Sequence, residues 1–402
     1  MRFAIDRPPV RSAMTKSVLQ NLVLLAIAVL VCLVGAEAFF RLFPQFLGEE
    51  ARLRLHWQVL NRSGADQALT IPDPRFGFLF RPNFTGRLSR DDLDFTFHTD
   101  EHGFRNPSPW PARTDVVVVG DSMAFGYGVD DEQAWPRLVA EALPATDIIN
   151  LGLIGAAPQQ YLRVLETFGL ELRPKLVLFM LFPGNDLHDA DTFQRWLDAD
   201  TELAYDQWRR AAGQPRDLGR LRQLLEDSHL VAFLRGARTS LDSAITSSTI
   251  DFEDGHRLQL VPALLRRDLE MAQPGRPEFE LVMATIERAR AVTRQHGSEF
   301  LVLLMPTKEE VYLPRIGEPA PPLTESFGAA LDRRGIGFID LTRDLQAHAR
   351  DNAPLFYEID GHPNAEGYQL LARVVVDHLE ALGPGFGPAG RSGDAGQAGP
   401  AD

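Results

Sequence analysis

The stretch DVVVVGDSMAFGYG, Asp115 to Gly128, decides how the rest of the chain is read. Four consecutive valines, Val116 to Val119, form a β-branched run without polar alternation. That pattern predicts a strand buried on both faces, as in a parallel sheet. Gly120 stops the strand, Asp121 and Ser122 follow at once, and the small residues Ala124, Gly126 and Gly128 lead to a helical pattern from Glu132. A serine on a strand-to-helix turn lies where open α/β sheets place their ligands. The G-x-S-x-G elbow is absent, because Ala124 stands two residues after Ser122. Taken alone, Gly120-Asp121-Ser122 is equally an ordinary turn.

Outward from this stretch, strands and helices alternate. Strands are expected over 116–119, 147–151, 176–181, 299–305 and 337–341, and helices over 132–143, 158–168, 279–296, 323–334 and 365–381. This alternation predicts βαβ units and one parallel sheet. Between Leu187 and Pro274 it breaks into polar, helix-like sequence (193–212 and 218–235) with no clear strand, read as a helical insertion that could close over the site. Upstream, residues 41–111 read as an extended entry segment, with a short helix over 52–60, a turn at Asp73–Gly77 and a proline-rich junction at Pro107 and Pro111. The tail, 383–402, is rich in Gly, Pro, Ala and Ser and is expected to be disordered.

The N-terminus bounds the location. Ser17 to Ala36 carries no charge and is mostly Leu, Val, Ile and Ala. Twenty residues at helical rise cover about 30 Å, the thickness of a hydrocarbon core. Arg2, Arg7, Arg11 and Lys16 precede it, so residues 1–16 are expected in the cytoplasm, 17–40 as a membrane anchor and the rest outside. That places the domain in the periplasm if the cell is Gram-negative. A cleaved signal peptide competes, with Leu22–Val34 as its apolar region and Ala36-Glu37-Ala38 as an A-x-A site. A buried soluble helix fits the uniform apolarity poorly.

Lys and Arg total 41 against 55 Asp and Glu, a net charge of −14, which opposes nucleic-acid binding. The single cysteine, Cys32, rules out an intrachain disulfide and a Cys-based zinc site. No H-E-x-x-H-type cluster points to a metal hydrolase, and neither a cofactor nor a metal is expected. At 45% hydrophobic residues there is ample material for a core.

Three further positions lie just beyond expected strands or at a helix start: Asn150-Leu151-Gly152, Gly184-Asn185-Asp186 and Asp360-Gly361-His362. With Gly120-Asp121-Ser122 they form four separated blocks on one sheet edge. The set resembles the SGNH (GDSL-type) hydrolases, over Asp115 to about Leu382 with the 187–274 insertion left out. The resemblance implies a flavodoxin-like three-layer α/β sandwich over 112–382. It implies Ser122 as nucleophile, His362 as base and Asp360 as orienting carboxylate. The oxyanion donors would be Ser122 N–H, Gly152 N–H and Asn185. The family usually places the aspartate three residues before the histidine, where this chain has Ile359; Asp360 stands two before, with Glu358 in reserve. The D-x-H spacing is similar to that of alginate-type polysaccharide O-acetyltransferases, as is the run Pro306-x-Lys308-x-x-x-Tyr312. Lys308 is expected as an exposed loop lysine, with substrate contact as the alternative.

These roles agree with elementary chemistry. A serine hydroxyl needs a base within hydrogen-bond reach, and imidazole titrates near neutrality. A carboxylate on the second ring nitrogen fixes the tautomer, and preorganised donors receive the oxyanion. Asp121 and Asp186 read as supports of their turns, and His188 as a residue beside block three. Three functions follow: a membrane-anchored serine esterase acting on acyl esters of a cell-surface or exported glycan, a polysaccharide O-acyltransferase with the same triad, or a non-catalytic glycan-binding or assembly protein. The oligomeric state is left open.

Overall fold

The computed structural model describes residues 10–48, 51, 69–90, 92–199, 201–212, 225, 228–242, 248–349 and 354–383. The expected helix over 52–60, residues 384–402 of the tail, Arg2, Arg7 and most of 218–228 lie outside them. The chain divides into two compact units, one of Met1–Arg62 with Pro215–Thr246 and one of Ser63–Gln214 with Ser247–Asp402.

The larger unit is built on a five-stranded parallel sheet. Its strands are β1 (Val116–Val119), β2 (Ile148–Asn150), β3 (Leu176–Leu181), β4 (Glu299–Leu304) and β5 (Phe338–Asp340), in the spatial order 2-1-3-4-5. All four pairings are parallel. The order is that of the flavodoxin-like fold, whose direction of winding reverses between β1 and β3. Strand periodicity splits the valine run between two cores. Val117 and Val119 meet the helices Pro158–Val164, Asp186–Asp198, Pro277–Gln295 and Leu323–Arg333 on one face. Val116 and Val118 meet Trp135–Ala142, Lys308–Tyr312, Thr342–Ala349 and Ala365–Ala381 on the other. Covering both faces is what permits an all-apolar strand.

The entry segment is more ordered than "extended" implies. It forms two antiparallel hairpins, Thr70–Asp73 with Gly77–Phe80 and Thr85–Arg90 with Leu93–His98. Phe76, Phe78, Phe80, Phe95, Phe97 and Phe104 go into the same core as Val117 and Val119. A second difference lies inside 187–274, where no strand was expected. Ser248–Asp251 and Arg257–Leu260 pair as a hairpin around Gly255, whose φ is +89°. Ile250, Leu258 and Leu260 bury against the second face. With four residues per strand, the period-2 signal is too short to stand out in sequence. The helical reading of 193–212 resolves into two helices, Asp186–Asp198 and Tyr205–Ala212.

In the smaller unit one helix runs Val10–Leu42, and Gln20–Leu42 within it is long and apolar enough to cross a membrane, a property shared with signal sequences. Glu37 accepts hydrogen bonds from Ser228 Oγ and from the N–H groups of His229 and Leu230, capping the helix His229–Asp242.

Candidate active site

β1 ends at Val119, and Ser122 opens a single helical turn, Ser122–Phe125. Asp121 is its N-cap, with Oδ1 accepting Met123 N–H at 2.9 Å. Gly126, in the left-handed region at φ +79°, closes the turn. The nucleophile candidate thus sits at the carboxyl end of β1, beside the point where the sheet reverses its winding.

His362, 240 residues downstream, lies at 2.7 Å from Ser122 Oγ through Nε2, and its Nδ1 lies at 2.6 Å from Asp360 Oδ1. The same Oδ1 accepts His362 backbone N–H at 2.9 Å. This double acceptance explains the two-residue spacing. An aspartate commonly bonds the backbone N–H two residues on, and here that turn brings the ring within reach of the same oxygen. Ile359 has no polar group to offer. Glu358 does not touch His362; its carboxylate lies near Gln259 at 3.4 Å. Tyr127 packs on the imidazole with ring centroids 4.5 Å apart.

Asp360 is 3% exposed. Burial pushes its carboxyl up, but the charge and hydrogen bonds of His362 and the charge of Lys308 outweigh this and hold it below the usual carboxylate range. The other acids of the site behave oppositely. Burial pushes Asp121 up, and burial together with the neighbouring Asp121 pushes Asp186 well up. Asp186 lies 2.5 Å from Tyr161 Oη and accepts Phe182 N–H at 2.7 Å, a brace of the loop after β3.

The donor candidates separate. Ser122 N–H is not used by the turn it opens. Asn185 donates through Nδ2 to Asp121 Oδ2 at 3.0 Å, which aims the amide and leaves its second N–H. Gly152 is different from expectation, because its N–H already donates to Asn150 Oδ1 at 2.9 Å. Its glycine identity has a packing cause: a Cβ there would lie 2.5 Å from Phe125 N. Three residues on, Gly155 occupies the left-handed region at φ +70°, and a Cβ there would meet nothing within 4 Å. Its N–H takes no part in the turn that Ala156 N–H closes onto Leu153 O at 3.1 Å.

His188 follows block three in the first turn of Asp186–Asp198. Its Nδ1 is buried without a partner, and burial with Arg267 pushes it down to about 4. Lys308 departs from the expected exposed lysine: it is 5% exposed and opens the helix Lys308–Tyr312. Thr307 and Glu310 form a capping box there, the T-x-x-E pattern that turns Lys308 inward.

Two supports come from the entry segment and were not singled out in sequence. Arg105 donates from Nε to Asp131 at 2.6 Å, from Nη1 to Gly126 O at 2.6 Å and from Nη2 to Val129 O at 2.7 Å, bracing the chain just after Ser122. Asn106 accepts Asn150 N–H at 2.7 Å and donates to Asn150 O at 2.9 Å, completing the exposed edge of β2. Their signal was a polar pair, Arg105-Asn106, between an aromatic and a proline.

A hydroxyl, an imidazole and a carboxylate in line, with N–H donors at a sheet's carboxyl edge, can carry out acyl transfer. The GDSL-like lipase/acylhydrolase family model matches residues 118–370, which spans all four blocks. The chain belongs to that family. It is an ester hydrolase of the SGNH type. Three solved structures are similar to this SGNH hydrolase. A G-D-S-L lipolytic protein from Veillonella parvula is 15% identical, covering 65% of this chain and 96% of its own, with a TM-score of 0.33. A GDSL-like lipase from Bacteroides thetaiotaomicron is 14% identical over 69% and 93%, TM-score 0.34. An acetylxylan esterase from Geobacillus stearothermophilus is 13% identical over 67% and 94%, TM-score 0.35. No curated protein matches the chain. Among the described residues no group of three or more His, Cys, Asp or Glu could hold a metal ion.

Proposed function

We propose that this SGNH hydrolase is a serine esterase that works through an acyl-Ser122 intermediate. The observation that carries the reading is the continuous line from Asp360 Oδ1 through His362 to Ser122 Oγ, with links of 2.6 and 2.7 Å. His362, held by Asp360 as the Nδ1–H tautomer, takes the hydroxyl proton as Oγ attacks the ester carbonyl. The oxyanion is received by Ser122 N–H, the second N–H of Asn185 and Gly155 N–H, which takes the place expected of Gly152. His362 then protonates the leaving alcohol. Water, deprotonated by the same imidazole, attacks the acyl-serine, and the acid departs as Ser122 regains its proton.

The substrate class we assign is acyl esters of an exported or cell-surface glycan. Gln20–Leu42 would hold the enzyme in the membrane, and Arg11 and Lys16 before it favour an external catalytic unit. The test is hydrolysis of p-nitrophenyl acetate and of acetylated oligosaccharides by the full chain in detergent, compared with Ser122→Ala and His362→Ala. Turnover lost in both variants is expected. Turnover retained in Ser122→Ala would sink the reading. An acetylated product appearing when a plain oligosaccharide is added would reassign the enzyme as a transferase.

A further inference from the structure

Lys308 has no part in the chemistry above, yet it is among the most deeply buried charges of the domain. Its Nζ donates to three successive main-chain carbonyls, Glu358 O at 3.3 Å, Ile359 O at 2.8 Å and Asp360 O at 3.3 Å. An ammonium has three N–H donors and no acceptor, so one side chain saturates itself on the three residues leading into the Asp360–His362 turn. Ordering a buried lysine in this way is costly unless every proton is used.

The turn is held from other sides as well. Ile359 N–H donates to Asp92 Oδ2 at 2.8 Å, from the turn between the second pair of entry strands. Gln259 N–H donates to Glu358 O at 2.9 Å, from the hairpin after residue 247. Val261 N–H donates to Glu309 Oε1 at 3.1 Å, tying the same hairpin to the helix that carries Lys308. Three segments far apart in sequence therefore meet on residues 358–360, and Lys308 is the one that brings a positive charge to them.

We infer that Lys308 is a positioning residue of the acyl-transfer site: its ammonium holds the 358–360 carbonyls so that Asp360 and His362 stay in line with Ser122. The inference rests on the Ser122–His362–Asp360 reading for its catalytic meaning, but not for the holding of the turn. The charged and titratable groups around Lys308 are Glu309 on its own helix, Glu358 and Asp360 on the turn, and Asp92 on the entry segment. Tyr357, Tyr368 and His362 are the further titratable groups around Asp360.

The test uses the full chain in detergent, with Lys308→Met and Lys308→Arg beside wild type. Amide hydrogen exchange is followed by mass spectrometry across residues 355–364, and kcat and KM for p-nitrophenyl acetate are measured across pH. In Lys308→Met, faster exchange confined to 355–364 is expected, with kcat about 100-fold lower and KM within about twofold, the cost of a small misplacement of reacting groups. The acidic limb of the kcat/KM profile should move to higher pH because a nearby positive charge has gone. Lys308→Arg, which keeps the charge, should return that limb toward wild type. Unchanged exchange at 355–364 in Lys308→Met would overturn the inference, as would a limb that stays in place. Faster exchange spread over the whole domain would also overturn it, by marking a loss of general stability. Esterase activity that survives Ser122→Ala would remove the proposed function instead, and the exchange data would still decide whether Lys308 holds the turn.

Discussion

Asp360 and Asp186 are both buried carboxyls near one serine, and the protein treats them oppositely. The charge and hydrogen bonds of His362 hold Asp360 below the usual carboxylate range, whereas burial and the neighbouring Asp121 push Asp186 well up. Only the first can stabilise an imidazolium. Asp360→Asn should therefore lower kcat by about 10⁴-fold while leaving the fold intact, since the amide favours the wrong tautomer; rate assays beside circular dichroism would check this. The oxyanion donors also separate by substitution. Asn185→Ala should cost about 10²- to 10³-fold in kcat with KM little changed. Gly152→Ala should instead lower the melting temperature, because its Cβ would strike Phe125 N.

At the scale of elements, the nucleophile's turn depends on a segment that precedes the sheet. Arg105 bonds the carbonyls of Gly126 and Val129 as well as Asp131, and its guanidinium lies 5.0 Å from the centroid of the Phe125 ring. Arg105→Met leaves those carbonyls unpaired in a buried place and should destabilise the domain by about 3 kcal/mol, read by chemical denaturation. The helix Asp186–Asp198 carries a second liability in its first turn. Burial pushes Asp189 up to about 7, aided by Asp121 and Asp268 and opposed by Arg209 and Arg267. Folded chains then hold more protons than unfolded ones between about pH 4 and pH 7, so stability falls as pH rises through that window. Asp189→Asn removes the loss. Its melting temperature should exceed that of wild type at pH 8, and the difference should vanish near pH 4.

For the whole molecule, one prediction concerns the smaller unit. Full-length chain should stay with membranes through alkaline carbonate extraction and keep residues 10–42, whereas a cleaved signal peptide would release a product lacking them. The physics behind this expectation was legible in the residues, because a charge-free run of this length is a one-dimensional property. So was the sheet: Val116–Val119 and Leu176–Leu181 are apolar throughout because both their faces are covered, and composition alone carries that signal. The candidate triad was also legible as residue types just past a strand or at a helix start, since the carboxyl edge of a parallel sheet gathers such loops regardless of their separation in sequence. Sequence by itself thus determined the fold class, the candidate span and the identity of Ser122, Asp360 and His362 as candidates. Tertiary structure decided what depends on who meets whom. Gly152 N–H is taken by Asn150, Lys308 turns inward onto three carbonyls, Arg105 braces the chain just after Ser122, and Asn106 braces β2. Each rests on hydrogen bonds between a side chain and backbone groups, those of Lys308, Arg105 and Asn106 linking segments tens of residues apart and the Gly152 bond made locally. Hydrophobic periodicity records which face a residue turns to the core, but carries no information about the partner of a buried polar group.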